Sequence, residues 1–114
     1  MKIIKLCVNE NGQSHFIEEK TGYETIQPLG QYSKKISATG IMFREFEAGA
    51  IYDWHNAPQP QYIIYLEGIV EVETSSGEIK QFQAGDVLFA NDLTGDGHIT
   101  RTLTKGKSII ITTK

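Results

Sequence analysis

Short stretches in which apolar and polar residues alternate, each ended by a turn signal, recur along this chain. The three-to-four-residue spacing of an amphipathic helix is hard to find anywhere. Turn signals such as Asn11-Gly12 and Ala84-Gly85 mark places where neighbouring strands reverse direction. Many short strands joined by tight turns, with no helix between them, are typical of an antiparallel sandwich or barrel. The pattern therefore predicts an all-β fold.

The alternating stretches give the boundaries of the predicted strands. These are residues 2–8, 15–19, 41–47, 62–66, 69–74, 78–82, 87–90, 98–103 and 108–113. Residues 20–38 show no readable pattern, because Gly22, Pro28 and Gly30 would interrupt any long element there. The length of 114 residues predicts one domain, residues 1–114.

Charge and composition exclude several classes of partner. A net charge of −3 and scattered basic residues argue against nucleic acid, whose binders usually carry a basic stripe. No apolar stretch approaches membrane-spanning length, and Lys5 interrupts an N-terminal apolar run that is too short for a signal peptide. Cys7 is the only cysteine, so no internal disulfide can form, which favours a cytoplasmic location.

A spaced set of glycine, histidine and glutamine residues carries the most specific signal. Gly49 is followed after five residues by His55, and Gln61 is followed after six residues by Gly68. Farther along, Gly85-Asp86 opens a strand that leads to His98. This spacing resembles the cupin family, and in particular its small single-domain bacterial members. The first cupin motif is G, five residues, H-x-H, three or four residues, E, six residues, G. The second begins with Gly-Asp in many members and ends with a histidine.

The resemblance implies a cupin jelly-roll, or double-stranded β-helix, barrel, with its core at about residues 41–103 and an N-terminal strand segment at residues 2–8. In such a barrel the motif side chains point inward around one site, which often holds a divalent metal. Residues two apart on a strand share a face, which would place His55 and Ala57 on one face where the segment is extended. The predicted ligand-binding residues are Arg44, His55, Gln61, Ile63, Tyr65, His98 and Thr100.

Two substitutions remove ligands that a metal-binding cupin would have. Ala57 stands where the family has its second histidine, and Gln61 stands where it has glutamate. The remaining candidate metal ligands, His55, Gln61 and His98, offer two imidazoles and a neutral amide. An amide brings no charge to offset a cation. A divalent transition metal is therefore not the favoured cofactor, and the identity of any cofactor stays open.

The loop before His98 resembles the opening of a calcium-binding loop. Asp92-Leu-Thr-Gly-Asp-Gly supplies the early acidic positions. The twelfth position of such a loop needs a glutamate and is Leu103, so that interpretation fails.

Arg44 indicates an anion in the interior. Alternation places it with Met42 and Phe46 on the inward face of its strand, while Glu45 and Glu47 face solvent. A buried arginine needs an anionic partner, which is either another side chain or a carboxylate on a ligand. Trp54, with Tyr52 and Tyr65, is expected to add aromatic surface to the same pocket.

The first functional hypothesis is a small-molecule-binding cupin with a degenerate metal site that binds, or acts on, a small anionic metabolite. The alternative is an enzyme of isomerase, dehydratase or lyase type that uses His55 and His98 as acid and base, with or without a divalent metal. A third is a structural protein whose dimer face is its function. A homodimer is expected in each case, with Lys2–Val8 crossing to the partner, because exposed sheet edges invite pairing.

Overall fold

A computed structural model describes residues 1–114 as strands, turns and loops. The strands are β1 (Lys2–Val8), β2 (Ser14–Lys20), β3 (Thr25–Gln27), β4 (Gly30–Tyr32), β5 (Ala38–Phe46), β6 (Ile51–His55), β7 (Gln61–Glu67), β8 (Val70–Thr74), β9 (Ile79–Phe82), β10 (Val87–Ala90), β11 (His98–Thr102) and β12 (Gly106–Thr113). No helix has the length and apolarity needed to span a membrane. The predicted all-β class is confirmed.

Two large sheets and one small hairpin make up the architecture. The six-stranded sheet has the order β2-β1-β10-β7-β12-β5, and the four-stranded sheet has the order β6-β11-β8-β9. β3 and β4 pair only with each other. The two large sheets share no backbone ladder, so β5 and β6 are both edge strands. Closure into the expected jelly-roll barrel is therefore not confirmed, and the observed arrangement is an open sandwich of two sheets.

The hydrophobic core lies between the two large sheets, and strand alternation explains its membership. On β7, Ile63 and Tyr65 are buried, while Ile64 between them points away from the core. The other core residues follow the same rule and come from both sheets: Ile4, Leu6, Val70, Val72, Phe82, Leu88 and Ile110. Because β1 and β12 contribute to this cluster, the core extends beyond residues 41–103.

The N-terminal strand is fully integrated into its own chain. β1 pairs in parallel with β10, where Leu6 lies opposite Ala90, and antiparallel with β2, where Leu6 lies opposite Phe16. β1 therefore has a partner strand of its own chain on each side, along its whole length on β2 and at Ile4–Leu6 on β10. The expectation that Lys2–Val8 crosses to a partner is wrong for this arrangement.

Candidate functional site

A cavity of about 530 Å³ lies between the two sheets, within the size range of small-molecule sites. Of its 19 lining residues 12 are hydrophobic, so the wall is mainly apolar with a few polar groups. All the residues predicted to bind ligand line it, namely Arg44, His55, Gln61, Ile63, Tyr65, His98 and Thr100. Alternation on β5, β7 and β11 turns six of them toward the space between the sheets, and the pairing of β6 with β11 brings His55 beside them. Their role in binding stays a prediction.

His55 and His98 lie side by side because their strands pair directly. His98 on β11 is opposite His55 on β6, and the two ring centroids are 4.2 Å apart. Tyr52 stacks on the outer side of His55, with centroids 3.5 Å apart and rings nearly parallel. Gly97 makes the close approach feasible, since a Cβ there would collide with the His55 backbone and its φ of +77° favours glycine.

The His55 ring is held as a neutral imidazole and is anchored through Nδ1. Its Nδ1 lies 2.7 Å from the carbonyl oxygen of Asp53, which can only accept, so Nδ1 carries the proton and donates. Burial lowers the pKa of His55, the nearby His98 acts in the same direction, and the Asp53 carbonyl partly opposes them. The neutral form of the ring is therefore favoured at neutral pH.

The His98 ring is oriented by a buried carboxylate that the sequence analysis did not assign to the site. His98 Nδ1 donates to Asp92 Oδ2 over 2.5 Å, and the two residues are only 5% and 0% exposed. The other oxygen, Asp92 Oδ1, is buried without a hydrogen-bond partner. Asp92 is held in place through its backbone carbonyl, which accepts from the amide of Ala57 and the side chain of Asn56. A carboxylate bound to Nδ1 fixes the imidazole tautomer and leaves Nε2 as the basic atom.

Arg44 brings an uncompensated positive charge to the cavity wall. It is half-buried, its Nε donates to Ser108 Oγ over 2.9 Å, and its guanidinium lies 5.7 Å from the centre of the Phe46 ring. The ion pairs of the chain all involve other cations, so Arg44 has no carboxylate partner within the protein. Burial raises the pKa of Tyr65 well above its usual value, although the charge of Arg44 acts in the opposite direction. The Tyr65 hydroxyl is therefore a neutral group beside a cation.

The donor set does not fit a resident divalent metal. His55, His98 and Gln61 line the cavity, which gives two imidazoles and a neutral amide, and no three His, Cys, Asp or Glu side chains come together as a metal-binding group. The nearest carboxylate, Asp92, is bound to the far nitrogen of His98. Arg44 adds positive charge to the same space, which disfavours a second cation.

Other cavity positions correct the sequence analysis in detail. Met42 and Phe46 line the cavity with Arg44, as alternation predicts, and Ile51 lines it in addition. Tyr52 lines it as expected, but Trp54 does not and is 47% exposed. The pairing of β6 with β11 is irregular between His98 and Thr100, so simple alternation does not hold along Ile51–His55 and the indole lies on the surface although Tyr52 lines the cavity.

No protein-family model matches the sequence, and no curated protein matches it. Solved structures do match the fold. A cupin-2 domain containing protein from Shewanella frigidimarina superimposes with a TM-score of 0.52 and 20% identity, over 65% of this chain and 69% of that one. The fold is a cupin fold.

Two further solved structures resemble this cupin fold. A protein of unknown function from Streptococcus pyogenes, SPY1581, has a TM-score of 0.55 and 13% identity over 72% of this chain and 70% of that one. Protein NMB1881 from Neisseria meningitidis has a TM-score of 0.53 and 18% identity over 69% of this chain and 79% of that one. At these identities the likeness concerns the fold alone. The resemblance to the cupins inferred from the motif spacing thus agrees with three-dimensional comparison.

Proposed function

We propose that this protein binds a small anionic metabolite between the two sheets of its cupin fold, without a resident metal. The single observation that carries the proposal is Arg44, a half-buried guanidinium on the cavity wall that has no carboxylate partner in the chain. A charge in that position is costly unless an anion compensates it. A carboxylate on a ligand would supply that anion and accept two parallel hydrogen bonds from the guanidinium.

The other polar groups of the cavity fit the same type of ligand. The Tyr65 hydroxyl can donate to an anion, because burial keeps the phenol protonated. The Nε2 atoms of His55 and His98 can accept from a hydroxyl or amine on the same molecule. The apolar remainder of the wall would contact a short carbon skeleton or a ring.

The test compares charged and neutral probes of the same shape. Benzoate and benzamide are titrated into the protein and followed by NMR chemical shifts, together with succinate and succinamide. The carboxylates should bind more tightly than their amides. Arg44→Gln should weaken carboxylate binding by about 10-fold to 100-fold, as expected for a hydrogen bond to a charged group.

Lys80→Gln is the matched control. Lys80 is also a cation over a phenyl ring, 6.0 Å from the centre of Phe16, but it lies outside the cavity. Its loss should leave carboxylate binding unchanged. If the carboxylates bind no better than their amides, or if the two variants behave alike, Arg44 is not an anion anchor and the proposal is wrong.

The Asp92–His98 pair favours a second candidate, an enzyme that moves a proton on such an anion. Isomerases, dehydratases and lyases that act next to a carboxylate begin by removing a proton from carbon. A buried carboxylate on Nδ1 stabilises the imidazolium that forms when Nε2 takes this proton.

Deuterium exchange tests this candidate directly. A panel of 2-hydroxy and 2-keto acids is incubated with the protein in D₂O, and loss of the C–H signal is followed by NMR. Asp92→Asn should slow any catalysed exchange by about 10²- to 10⁴-fold, because the amide no longer stabilises the protonated ring. Two outcomes would reject the enzyme and leave only the binding function. In one, Asp92→Asn exchanges as fast as the wild type; in the other, no acid of the panel exchanges although carboxylates still bind.

A further inference from the structure

The polar groups of the cavity are divided between its two ends. On the wall that the six-stranded sheet provides, the strand register sets inward-facing residues in three successive rows across β5, β12 and β7. The rows are Arg44, Ser108 and Tyr65; then Met42, Ile110 and Ile63; then Gly40, Thr112 and Gln61. An apolar row therefore separates the arginine from the glutamine along the length of the cavity.

The guanidinium of Arg44 stays at its own end of the cavity. Its Nε donates to Ser108, which lies directly opposite in the register. Its Cζ lies 5.7 Å from the centre of the Phe46 ring, and Phe46 is farther along β5, away from the row of Gln61. An anion held by this guanidinium therefore lies at what we name the Arg44 end, formed by Arg44, Phe46 and Tyr65.

The imidazoles lie at the opposite end. Gln61 is opposite Ala90 on β10. Asp92 follows shortly after Ala90, and its carboxylate binds the His98 ring, beside which His55 lies. We name this region the histidine end, formed by His55, Gln61 and His98. Arg44 and the imidazoles are thus separated by the apolar row.

The distance between the two ends sets the length of a ligand that contacts both. Gln61 and Tyr65 are separated by about 13 Å along β7, at the usual rise per residue of a β-strand. Hydrogen bonds of about 3 Å at each end leave roughly 7 Å for the ligand itself. An extended chain advances about 3.4 Å over roughly three bonds, so roughly six bonds cover this length. The cavity of about 530 Å³ is large enough for such a molecule.

We propose that the ligand is an elongated acid, a class that rests on the proposed function, in which Arg44 anchors the anion. Its carboxylate lies at the Arg44 end, and a spacer of about six bonds leads to a hydroxyl or amide that hydrogen-bonds to Gln61 at the histidine end. The spacer contacts the apolar side chains that line the cavity between the ends, namely Met42, Ile63, Leu88 and Ile110. An acid as short as propanoate, held by Arg44, would end beside this row and would not reach Gln61.

The experiment compares acids of two lengths, each with and without a terminal hydroxyl. Propanoate, 3-hydroxypropanoate, hexanoate and 6-hydroxyhexanoate are titrated into the protein and followed by NMR chemical shifts. Hexanoate should bind about 10-fold to 50-fold more tightly than propanoate, because its additional CH₂ groups cover the apolar row. The hydroxyl should strengthen the binding of hexanoate by about 3-fold to 10-fold but not that of propanoate, since only the longer chain reaches Gln61.

Gln61→Met and Gln81→Met form a matched pair of variants. Methionine at position 61 keeps a side chain of similar length but cannot donate a hydrogen bond, so 6-hydroxyhexanoate should bind this variant no more tightly than hexanoate does. Gln81 is exposed on β9 and does not line the cavity. Its variant should therefore keep the full gain from the hydroxyl.

Failure of this ligand class differs from failure of the proposed function. If no carboxylate binds, or if Arg44→Gln changes none of the affinities, the proposed function is wrong and the elongated ligand is rejected with it. If binding depends on Arg44 but hexanoate binds no more tightly than propanoate, only the elongated ligand is overturned. The same holds if the hydroxyl strengthens both acids alike, or if its effect survives in Gln61→Met.

Discussion

Gln61 and Arg44 share one cavity, and together they set the charge that the cavity can accept. A metal-binding cupin resembling this one would have a glutamate in place of Gln61, and its negative charge would help to hold a cation. Here the amide contributes no charge, and the Arg44 guanidinium contributes a positive one. Under the proposed function, these two residues favour an anion over a cation in the site.

Restoring the missing ligands should reverse that preference. We expect wild-type protein to retain substoichiometric metal after dialysis against a trace of Zn²⁺. Gln61→Glu should raise the affinity at least about tenfold, because a carboxylate adds a charge-charge attraction of a few kcal/mol. Gln61→Glu combined with Ala57→His should raise it further, since Ala57 also lines the cavity. Metal content is measured by mass spectrometry.

Two outcomes would contradict this prediction. Near-stoichiometric metal in the wild type would mean that the Gln61 amide is an adequate ligand and that Arg44 does not repel the ion. No gain in either variant would mean that His55 and His98 do not present their Nε2 atoms to a common point.

The inward positions of His55, Gln61 and His98 could be predicted, because motif spacing and strand alternation are local properties of the sequence. The role of Asp92 could not be predicted in the same way. It depends on a loop that turns back through Gly95 and Gly97 and brings the carboxylate under a ring six residues away. An acidic residue before a glycine-rich loop that leads to a pocket histidine is the signal that could have found it. The isolation of Arg44 likewise depends on neighbours from distant segments.

At the level of elements, strands with strong alternation were predicted within a few residues of their observed ends. β6 was missed because Ile51–His55 shows no clear alternation and becomes a strand only through pairing with β11, where Tyr52 lies opposite Thr100. β3 and β4 were missed because a three-residue strand beside Pro28 and Gly30 leaves no periodic pattern. Barrel closure depends on whether β5 and β6 pair, which no local pattern encodes.

The contact between β6 and the loop before β11 gives an element-scale prediction. Gly97 and Gly77 both have positive φ, +77° and +94°, but only Gly97 is packed against another backbone, that of His55. Gly77→Ala should therefore cost only the backbone strain, about 1–2 kcal/mol of unfolding free energy. Gly97→Ala should cost about 1–3 kcal/mol more, because β6 must move. Urea unfolding measures both.

The same pair of variants also reports on the site. Gly97→Ala should weaken carboxylate binding, because the displaced segment carries His55 and Tyr52, whereas Gly77→Ala should not. Equal destabilisation by the two substitutions would show that the close approach of Gly97 to His55 does not constrain the fold.

For the whole molecule, stability should depend on pH through His55. Burial lowers the pKa of this imidazole in the folded chain, so near the usual value of about 6.5 the unfolded chain binds a proton more readily than the folded chain does. The free energy of unfolding should therefore decrease as the pH falls from 7 through 6.5 toward the lowered pKa of the folded state.

The comparison of wild type with His55→Gln isolates this contribution, because glutamine keeps a polar side chain on β6 but cannot be protonated. Urea unfolding at intervals between pH 7 and pH 5.5 should show a shallower pH dependence for His55→Gln, by a fraction of one proton. His15→Gln is the comparison variant, since it also removes one histidine, but on the edge strand β2 away from the cavity. Parallel curves for wild type and His55→Gln would mean that His55 titrates alike in the folded and unfolded chains, and that the cavity does not hold this ring in its neutral form.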